Sequence, residues 1–185
     1  MSNELHDYNV AILVADGFEQ VEMTGPRKAL DDAGARTVLI SIKGGEVQGM
    51  NHDEKGDTFR VEKTIDSVTA AEFDALLLPG GVANPDKLRT VPEAVKFVSS
   101  FAAEHKPIAA ICHGPWMLVE AGVVKGATIT SWPSLKTDVT NAGGHWVDRE
   151  VMVDGSLVTS RKPADIPAFN KEMIETFSSV AAQRT

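Results

Sequence analysis

Short apolar runs, each ended by turn-forming residues, recur along this chain. They occupy residues 10–14, 37–42, 75–78 and 107–111. Uninterrupted apolar runs of this length predict strands that are buried on both faces. A further strand is predicted near residues 128–131. Residues 150–160 predict a hairpin whose turn is Asp154-Gly155.

Segments with helical spacing of apolar residues separate these strands. They cover residues 19–33, 114–121 and 165–181, a shorter stretch from about 134, and a stretch ending near 104 that opens with the capping box Thr90-Val91-Pro92-Glu93. The Gly-rich region 43–63 predicts a hairpin or loop excursion. Strands that alternate with helices predict an α/β fold, specifically a flavodoxin-like three-layer sandwich with a mostly parallel sheet and helices on both faces. We expect one domain over residues 1–185.

Composition narrows the class of protein. The formal net charge is −8, with 26 acidic and 18 basic side chains, so electrostatically driven nucleic-acid binding is not expected. No apolar run reaches the roughly 20 residues of a membrane span, and residues 1–9 lack the features of a secretory signal. A single cysteine excludes an intramolecular disulfide and fits a reducing, cytoplasmic location.

That cysteine, Cys112, is the strongest candidate for chemistry. It follows the run 107–111, and small residues lie two positions before it (Ala110) and two after it (Gly114). This spacing is typical of a nucleophile elbow between a strand and a helix. A helix start favours an anion, so we expect the thiol to ionise more readily than a free cysteine. The alternative is a buried cysteine that only fills the core.

Other candidates lie at the ends of neighbouring strands. His113 can act with Cys112 only if the turn is sharp, and otherwise has a supporting or capping role. Glu19 follows the first strand, and in a poorly solvated site its carboxyl would be protonated and could donate a hydrogen bond to sulfur. Glu22 is expected at the surface. Gly80 and Gly81 could expose N–H groups to an oxyanion. No metal site is expected, because His52 and His145 lack partners at ligand spacing.

Six motifs in order resemble the PfpI-type intracellular peptidase family, within the superfamily that includes the parkinsonism-associated deglycase and the class I glutamine amidotransferases. The similarity extends from about residue 8 to residue 177. The motifs are Asp16-Gly17-Phe18-Glu19, Leu77-Leu78-Pro79-Gly80-Gly81, Ala110-Ile111-Cys112-His113-Gly114-Pro115, Thr130-Ser131-Trp132-Pro133, Asn141-Ala142-Gly143 and Ser160-Arg161-Lys162-Pro163-Ala164-Asp165.

The resemblance implies specific roles. Cys112 would be the nucleophile, His113 its partner and Glu19 the protonated carboxyl that touches sulfur. The N–H groups of Gly81 and His113 would form the oxyanion hole, with Gly80 and Gly114 in the same substrate-binding region. Asp86 best matches an acidic residue that completes the triad from a neighbouring subunit, which implies a homodimer or higher oligomer. It stands where some members have glutamate, in a loop that is one residue longer. No cofactor is implied.

The resemblance also limits the reactions that we expect the protein to catalyse. Thiolate attack on a carbonyl or hemiaminal carbon fits a stress-related deglycase or glyoxalase that acts on glyoxal and methylglyoxal adducts or on methylglyoxal itself. The alternatives are an intracellular cysteine peptidase and a non-enzymatic redox sensor or stress chaperone that uses Cys112 oxidation. Glutamine amidotransfer requires a downstream His-x-Glu, which His145-Trp146-Val147-Asp148 does not supply.

Overall fold

A central sheet of seven strands organises the computed structural model, which describes residues 4–183. The strand order is β11-β12-β8-β7-β1-β3-β6, and every neighbouring pair is parallel except β11–β12. The strands of the described residues are β1 Asn9–Leu13, β2 Phe18–Glu19, β3 Arg36–Ser41, β4 Glu46–Asn51, β5 Glu54–Arg60, β6 Lys63–Thr64, β7 Ala75–Leu78, β8 Ile108–Ile111, β9 Thr128–Ile129, β10 His145–Trp146, β11 Val151–Asp154 and β12 Leu157–Ser160.

Helices cover both faces of this sheet. They are α1 Gln20–Asp32, α2 Ala83–Leu88, α3 Pro92–Ala103, α4 Trp116–Glu120, α5 Lys136–Asn141 and α6 Ile166–Gln183. One buried cluster joins α3 and α4 to the sheet through Phe97, Phe101 and Met117. A second cluster joins α1 and α6 to the other face through Met23 and Phe169. The predicted flavodoxin-like three-layer α/β sandwich is confirmed.

The strands at the centre are short and fully apolar because both of their faces are covered. The four residues of β7 and the four of β8 are all buried, and the two strands pair in parallel with Leu76 opposite Ile108. Parallel pairing brings the carboxyl ends of β1, β7 and β8 to one edge of the sheet, where ligands bind in folds of this class. Residues that follow these three strands therefore lie close together.

A second, three-stranded sheet stands at that edge. Its order is β2-β4-β5, with Phe18–Glu19 parallel to Gly49–Met50 and with β4 and β5 forming an antiparallel hairpin. The predicted excursion in 43–63 is this hairpin. Because residues 18 and 19 are extended strand residues, α1 begins at Gln20 and not at Glu19.

Several local predictions differ from the structure. The Thr90 hydroxyl donates to the Lys87 carbonyl, and Val91 is the N-terminal cap of α3, so the expected capping box is absent. Strand β9 pairs with β10 in a separate ribbon and not with the main sheet. The hairpin near the C-terminus turns at residues 155 and 156, because Asp154 is itself paired with Leu157. Helix α2 was not predicted.

The expected domain includes residues 1–3 and 184–185, which lie outside the described residues. Among residues 4–183, no helix has both the length and the apolar character needed to cross a bilayer.

Candidate active site

Cys112 lies at the sharp turn between β8 and α4. Its φ is +62°, in the left-handed region that residues other than glycine seldom adopt. Two hydrogen bonds hold this conformation: the Cys112 N–H donates to the Ser160 carbonyl at 3.0 Å, and the Cys112 carbonyl accepts from the Trp132 N–H at 2.9 Å. Strain of this kind persists only where the surroundings fix it, and it is concentrated at functional sites.

The turn brings the His113 side chain beside the thiol. The His113 Nδ1 atom is 3.3 Å from Cys112 Sγ. The imidazole packs edge-on against Trp116 and is stacked at 5.9 Å against Trp132. Burial lowers the pKa of His113, so the ring is held in its neutral form and can accept a proton. Within the described residues, its Nε2 atom has no hydrogen-bonding partner.

The carboxyl that interacts with sulfur belongs to Glu22, not to Glu19. Glu22 lies in the first turn of α1, its side chain is 0% exposed, and its carboxyl interacts electrostatically with the Cys112 thiol. The predicted surface position of Glu22 and the predicted contact of Glu19 with sulfur are therefore wrong. The cause is β2: because the helix starts one residue later than expected, the inward-facing position of its first turn is residue 22.

Burial also sets the charge of Glu22. Removal from water raises its pKa well above the usual value, and the nearby Glu19 charge raises it further. The polar groups of Cys112 and Gly81 lower the pKa of Glu22 by smaller amounts. Neither Glu22 oxygen has a well-aligned hydrogen bond among the described residues. Glu22 is thus a neutral carboxylic acid that can donate a proton to a hydrogen bond.

Glu19 lies at the wall of the site. Its side chain is 13% exposed, and its two carboxylate oxygens accept from the His52 N–H at 3.4 and 3.2 Å. His52 is the first of two residues at the tip of the β4–β5 hairpin and has a φ of +57°. From the sequence, His52 was considered only as a metal ligand. Its contact with Glu19 was not predicted, because the two residues are 33 positions apart and the contact depends on β2–β4 pairing.

The resting thiol is not readily ionised. Burial raises the pKa of Cys112, and the Glu22 carboxyl raises it further, whereas the N–H groups of Gly81 and His113 lower it by smaller amounts. The sequence-based expectation of an easily ionised thiol is wrong for this protomer. The helix-start effect was anticipated, but the larger cost of removing a thiolate from water was not.

The glycines near the thiol permit close backbone approach. A Cβ atom on Gly80 would lie 2.7 Å from the Cβ of Cys112, and a Cβ on Gly81 would lie 2.6 Å from the Glu19 nitrogen. Gly81 also has a φ of +76°. Gly114 differs from the prediction: its N–H donates to the Ile111 carbonyl at 2.9 Å, so it is not a free donor for an oxyanion. Its role is steric, because a Cβ there would meet the Leu78 carbonyl at 2.5 Å.

Asp86 is not part of the site within one protomer. It lies on α2, its side chain is exposed, and it does not line the cavity that contains Cys112 and His113.

The thiol opens into a cavity of about 680 Å³. This volume suits a small molecule or one modified side chain. Trp132 is at its rim and is 39% exposed. Within residues 4–183, no group of three or more His, Cys, Asp or Glu side chains is placed to hold a metal ion. The cavity is lined by Gly17, Glu19, Glu22, Met50, His52, Asp53, Gly81, Val82, Ala83, Cys112, His113, Trp132 and Pro163.

Comparison with known proteins gives consistent matches. Residues 8–176 match the DJ-1/PfpI family. "Protein/nucleic acid deglycase 2" of Escherichia coli is 44% identical over 168 residues, which are 89% of this chain and 95% of that protein. "Putative cysteine protease YraA" of Bacillus subtilis is 42% identical over 165 residues, which are 89% of this chain and 95% of that protein.

A solved structure from Anabaena variabilis has the same fold. It is a two-domain protein containing DJ-1/ThiJ/PfpI-like and ferritin-like domains, with a TM-score of 0.86 and 32% sequence identity. The match covers 91% of this chain and 48% of the Anabaena chain.

Proposed function

The chain belongs to the DJ-1/PfpI family, and from this premise we propose that it is a cysteine-dependent hydrolase that removes glyoxal and methylglyoxal adducts and converts methylglyoxal itself to lactate. The observation that carries the proposal is the 3.3 Å contact between Cys112 Sγ and His113 Nδ1 at the wall of a cavity of about 680 Å³. A nucleophile within hydrogen-bond reach of a base is the defining arrangement of covalent catalysis.

The protonation states of Cys112 and His113 favour a concerted first step, in which the thiol loses its proton as sulfur attacks the substrate. Cys112 is a thiol at rest, and His113 is a neutral imidazole because burial lowers its pKa. As the sulfur adds to the substrate carbon, the thiol proton passes to Nδ1 of His113. The N–H groups of Gly81 and His113 lower the pKa of the Cys112 thiol, so the same donors can stabilise negative charge that develops beside it.

The reaction balances without an external oxidant. The sulfur–carbon bond forms at the hemiaminal carbon, the carbon–nitrogen bond breaks, and His113 returns the proton to the leaving amine. In the resulting hemithioacetal, a proton moves from the carbon bearing sulfur to the adjacent ketone carbon, which gives a lactate thioester. Water then cleaves the carbon–sulfur bond. The sum is adduct plus water to free amine plus lactate, and the neutral Glu22 acid supplies a hydrogen bond to the reacting groups.

The proposed role of Asp86 requires an oligomer, because Asp86 would come from a second copy of the chain. His113 Nε2 has no partner among the described residues of one protomer, and Asp86 is exposed on α2. A carboxylate from a neighbouring subunit would orient the imidazole, as the third residue of a triad does. We therefore propose a homodimer or higher oligomer with its active sites at the subunit interface. We also propose that the protein is located in the cytoplasm and is active under carbonyl stress.

The test is a substrate panel. Wild type and Cys112→Ser are assayed with methylglyoxal, a methylglyoxal adduct of an N-acetylated amino acid and a peptide amide, with lactate and free amine as products. We expect turnover of the first two substrates by wild type and none by Cys112→Ser, with equal melting temperatures. Undiminished lactate formation by Cys112→Ser would exclude Cys112 as the nucleophile.

The same panel tests the second candidate, an intracellular cysteine peptidase, which the named B. subtilis relative favours. Faster cleavage of the peptide amide than of the adduct would assign the site to peptides.

The third candidate, a redox sensor, requires a thiol that oxidises readily. Oxidation and nucleophilic attack both follow thiolate character, so the raised pKa of Cys112 does not separate sensing from catalysis. Mass spectrometry after mild peroxide treatment tests for sensing, since rapid sulfinate formation would favour the sensor.

A further inference from the structure

We propose that Glu19 makes the cavity selective for substrates that carry a positive charge next to the reacting carbon, so that adducts on arginine and lysine side chains are preferred over adducts on anionic thiols. This inference rests on the proposed function and specifies the substrate class of the same site. It follows from the charges of the cavity wall, the free hydrogen-bonding capacity of Glu19 and the aromatic rim.

The charge of the cavity wall is one-sided. Glu19 and Asp53 are acidic, and none of the residues that line the cavity is lysine or arginine. Nearby cations have other positions or partners: Lys87 donates to the Asp16 carbonyl, and Arg161 is paired with Asp148 and Asp165. The net charge of −8 has the same sign. A cationic substrate is therefore attracted and an anionic one repelled.

Glu19 has unused capacity to accept hydrogen bonds. Its oxygens share one hydrogen-bond donor, the His52 N–H, and Oε1 also lies 3.8 Å from His52 Nδ1, whereas an ionised carboxylate has about four acceptor positions. The His52 bond fixes the orientation of the carboxylate from the hairpin side. The remaining positions can accept two parallel N–H groups, which is the preferred geometry of a guanidinium with a carboxylate.

The Glu19 charge also acts at the reacting groups. It raises the pKa of Glu22, and Glu19, Glu22 and Cys112 line the same cavity. A substrate cation that neutralises Glu19 therefore lies in the cavity of the thiol and not at a remote surface site. An arginine adduct has this arrangement, because its guanidinium is attached directly to the hemiaminal carbon.

Trp132 provides a second contact for a cation. One side of its ring is stacked on His113, and the residue is 39% exposed at the cavity rim. Cations bind over the face of tryptophan more strongly than over other aromatic rings, and planar guanidinium groups also stack there. An acidic wall and an aromatic rim in one cavity are the features that recognise a guanidinium.

The test compares substrate charge in matched variants. Methylglyoxal adducts of Nα-acetylarginine methylamide, N-acetylcysteine amide and glutathione supply a cationic, a neutral and an anionic substrate. Glu19→Gln removes the charge and keeps the shape. Glu54→Gln removes one charge from the same hairpin at an exposed residue outside the cavity lining.

We expect Glu19→Gln to lower kcat/KM for the arginine adduct about tenfold or more, as for loss of a charge-assisted hydrogen bond. The decrease should be larger for the arginine adduct than for the neutral adduct, and kcat/KM for the glutathione adduct should rise relative to that for the neutral adduct. Glu54→Gln should keep the wild-type preference. An unchanged ratio of cationic to anionic turnover in Glu19→Gln, or a wild-type preference for the glutathione adduct, overturns the inference.

A binding measurement separates this inference from the proposed function. Nα-acetylarginine methylamide itself, which has no reactive carbonyl, is titrated into Cys112→Ser and into Cys112→Ser with Glu19→Gln, with N-acetylcysteine amide as the uncharged control. Glu19-dependent binding of the arginine compound supports the selectivity even if no adduct is turned over. Equal binding by the two proteins overturns it even if the enzyme is an active deglycase.

Discussion

The Nδ1 atom of His113 lies 3.3 Å from the sulfur of the residue that precedes it, Cys112. Side chains of consecutive residues in a regular strand point to opposite faces of a sheet. The contact exists because the backbone leaves β8 at Cys112 with a φ of +62°. The base thus reaches the nucleophile through local backbone geometry, whereas Glu22 and Trp132 come from distant segments.

We expect the pH dependence of activity to follow the protonation of the buried His113 imidazole. Protonated His113 cannot accept the thiol proton, so activity is lost as pH falls through its pKa, which burial lowers from the usual 6.5. We predict that the acid limb of kcat/KM has its midpoint below pH 6.5. Trp132→Leu removes a ring stacked on His113, and greater access of water should move the midpoint upward. Coincident limbs in the two proteins would contradict this account.

We expect the buried Glu22 carboxyl to make the free energy of unfolding fall as pH rises. The folded protein keeps this carboxyl protonated at pH values where the unfolded chain ionises it, so the folded state binds more protons above about pH 4.3. We predict that the free energy of unfolding of wild type falls relative to Glu22→Gln by up to about 1.4 kcal/mol per pH unit in that range. Urea unfolding from pH 5 to pH 8 measures the difference. Parallel curves would show that Glu22 is ionised in the folded protein.

Complementation between two inactive variants tests whether Asp86 completes the active site of the neighbouring subunit. Cys112→Ala and Asp86→Ala are each expected to be inactive or nearly so. In a hybrid dimer isolated through two affinity tags, the Asp86→Ala subunit keeps its own Cys112 and receives Asp86 from its partner. Because a two-fold dimer has two such sites and one is complete, we predict about half of wild-type activity. A hybrid without activity would refute action in trans, and full activity of Asp86→Ala alone would remove Asp86 from the site.

Gly114 is predicted to be a stability determinant. A Cβ at this position would lie 2.5 Å from the Leu78 carbonyl and 2.9 Å from the Ile111 carbonyl, and both are backbone atoms in strands that cannot shift independently. Gly114→Ala should therefore cost several kcal/mol of unfolding free energy, as overpacking and strain do.

Gly122→Ala is the matched control for this substitution. A Cβ at Gly122 meets nothing within 4 Å, but φ is +72°, so the cost is limited to about 1–2 kcal/mol of left-handed strain. Chemical denaturation of both variants checks the order. Equal losses would mean that backbone conformation, and not steric contact, determines the effect.

The sequence predicted the central strands of the sheet and the position of Cys112 beside His113, but not the edge strand β6, the separate pairing of β9 or the surrounding side chains. Buried parallel strands have continuous apolar runs, which is why the predicted 75–78 coincides with β7. Glu22 was misassigned because the start of α1 depends on pairing of residues 18 and 19 with residues of β4 that lie 31 positions downstream. Pairing over such distances leaves no local signal. Helix α2 was missed for a related reason: six residues containing Pro85 are too short to show a periodicity.

The nucleophile and the wall opposite it are built on different sheets. Cys112 belongs to the end of β8 in the central sheet, whereas the His52 N–H that orients Glu19 belongs to the tip of the β4–β5 hairpin. The hairpin can consequently be exchanged or redesigned while the thiol and imidazole keep their positions. Diversification of such an enzyme can proceed by loop replacement, with one catalytic apparatus serving many substrate preferences.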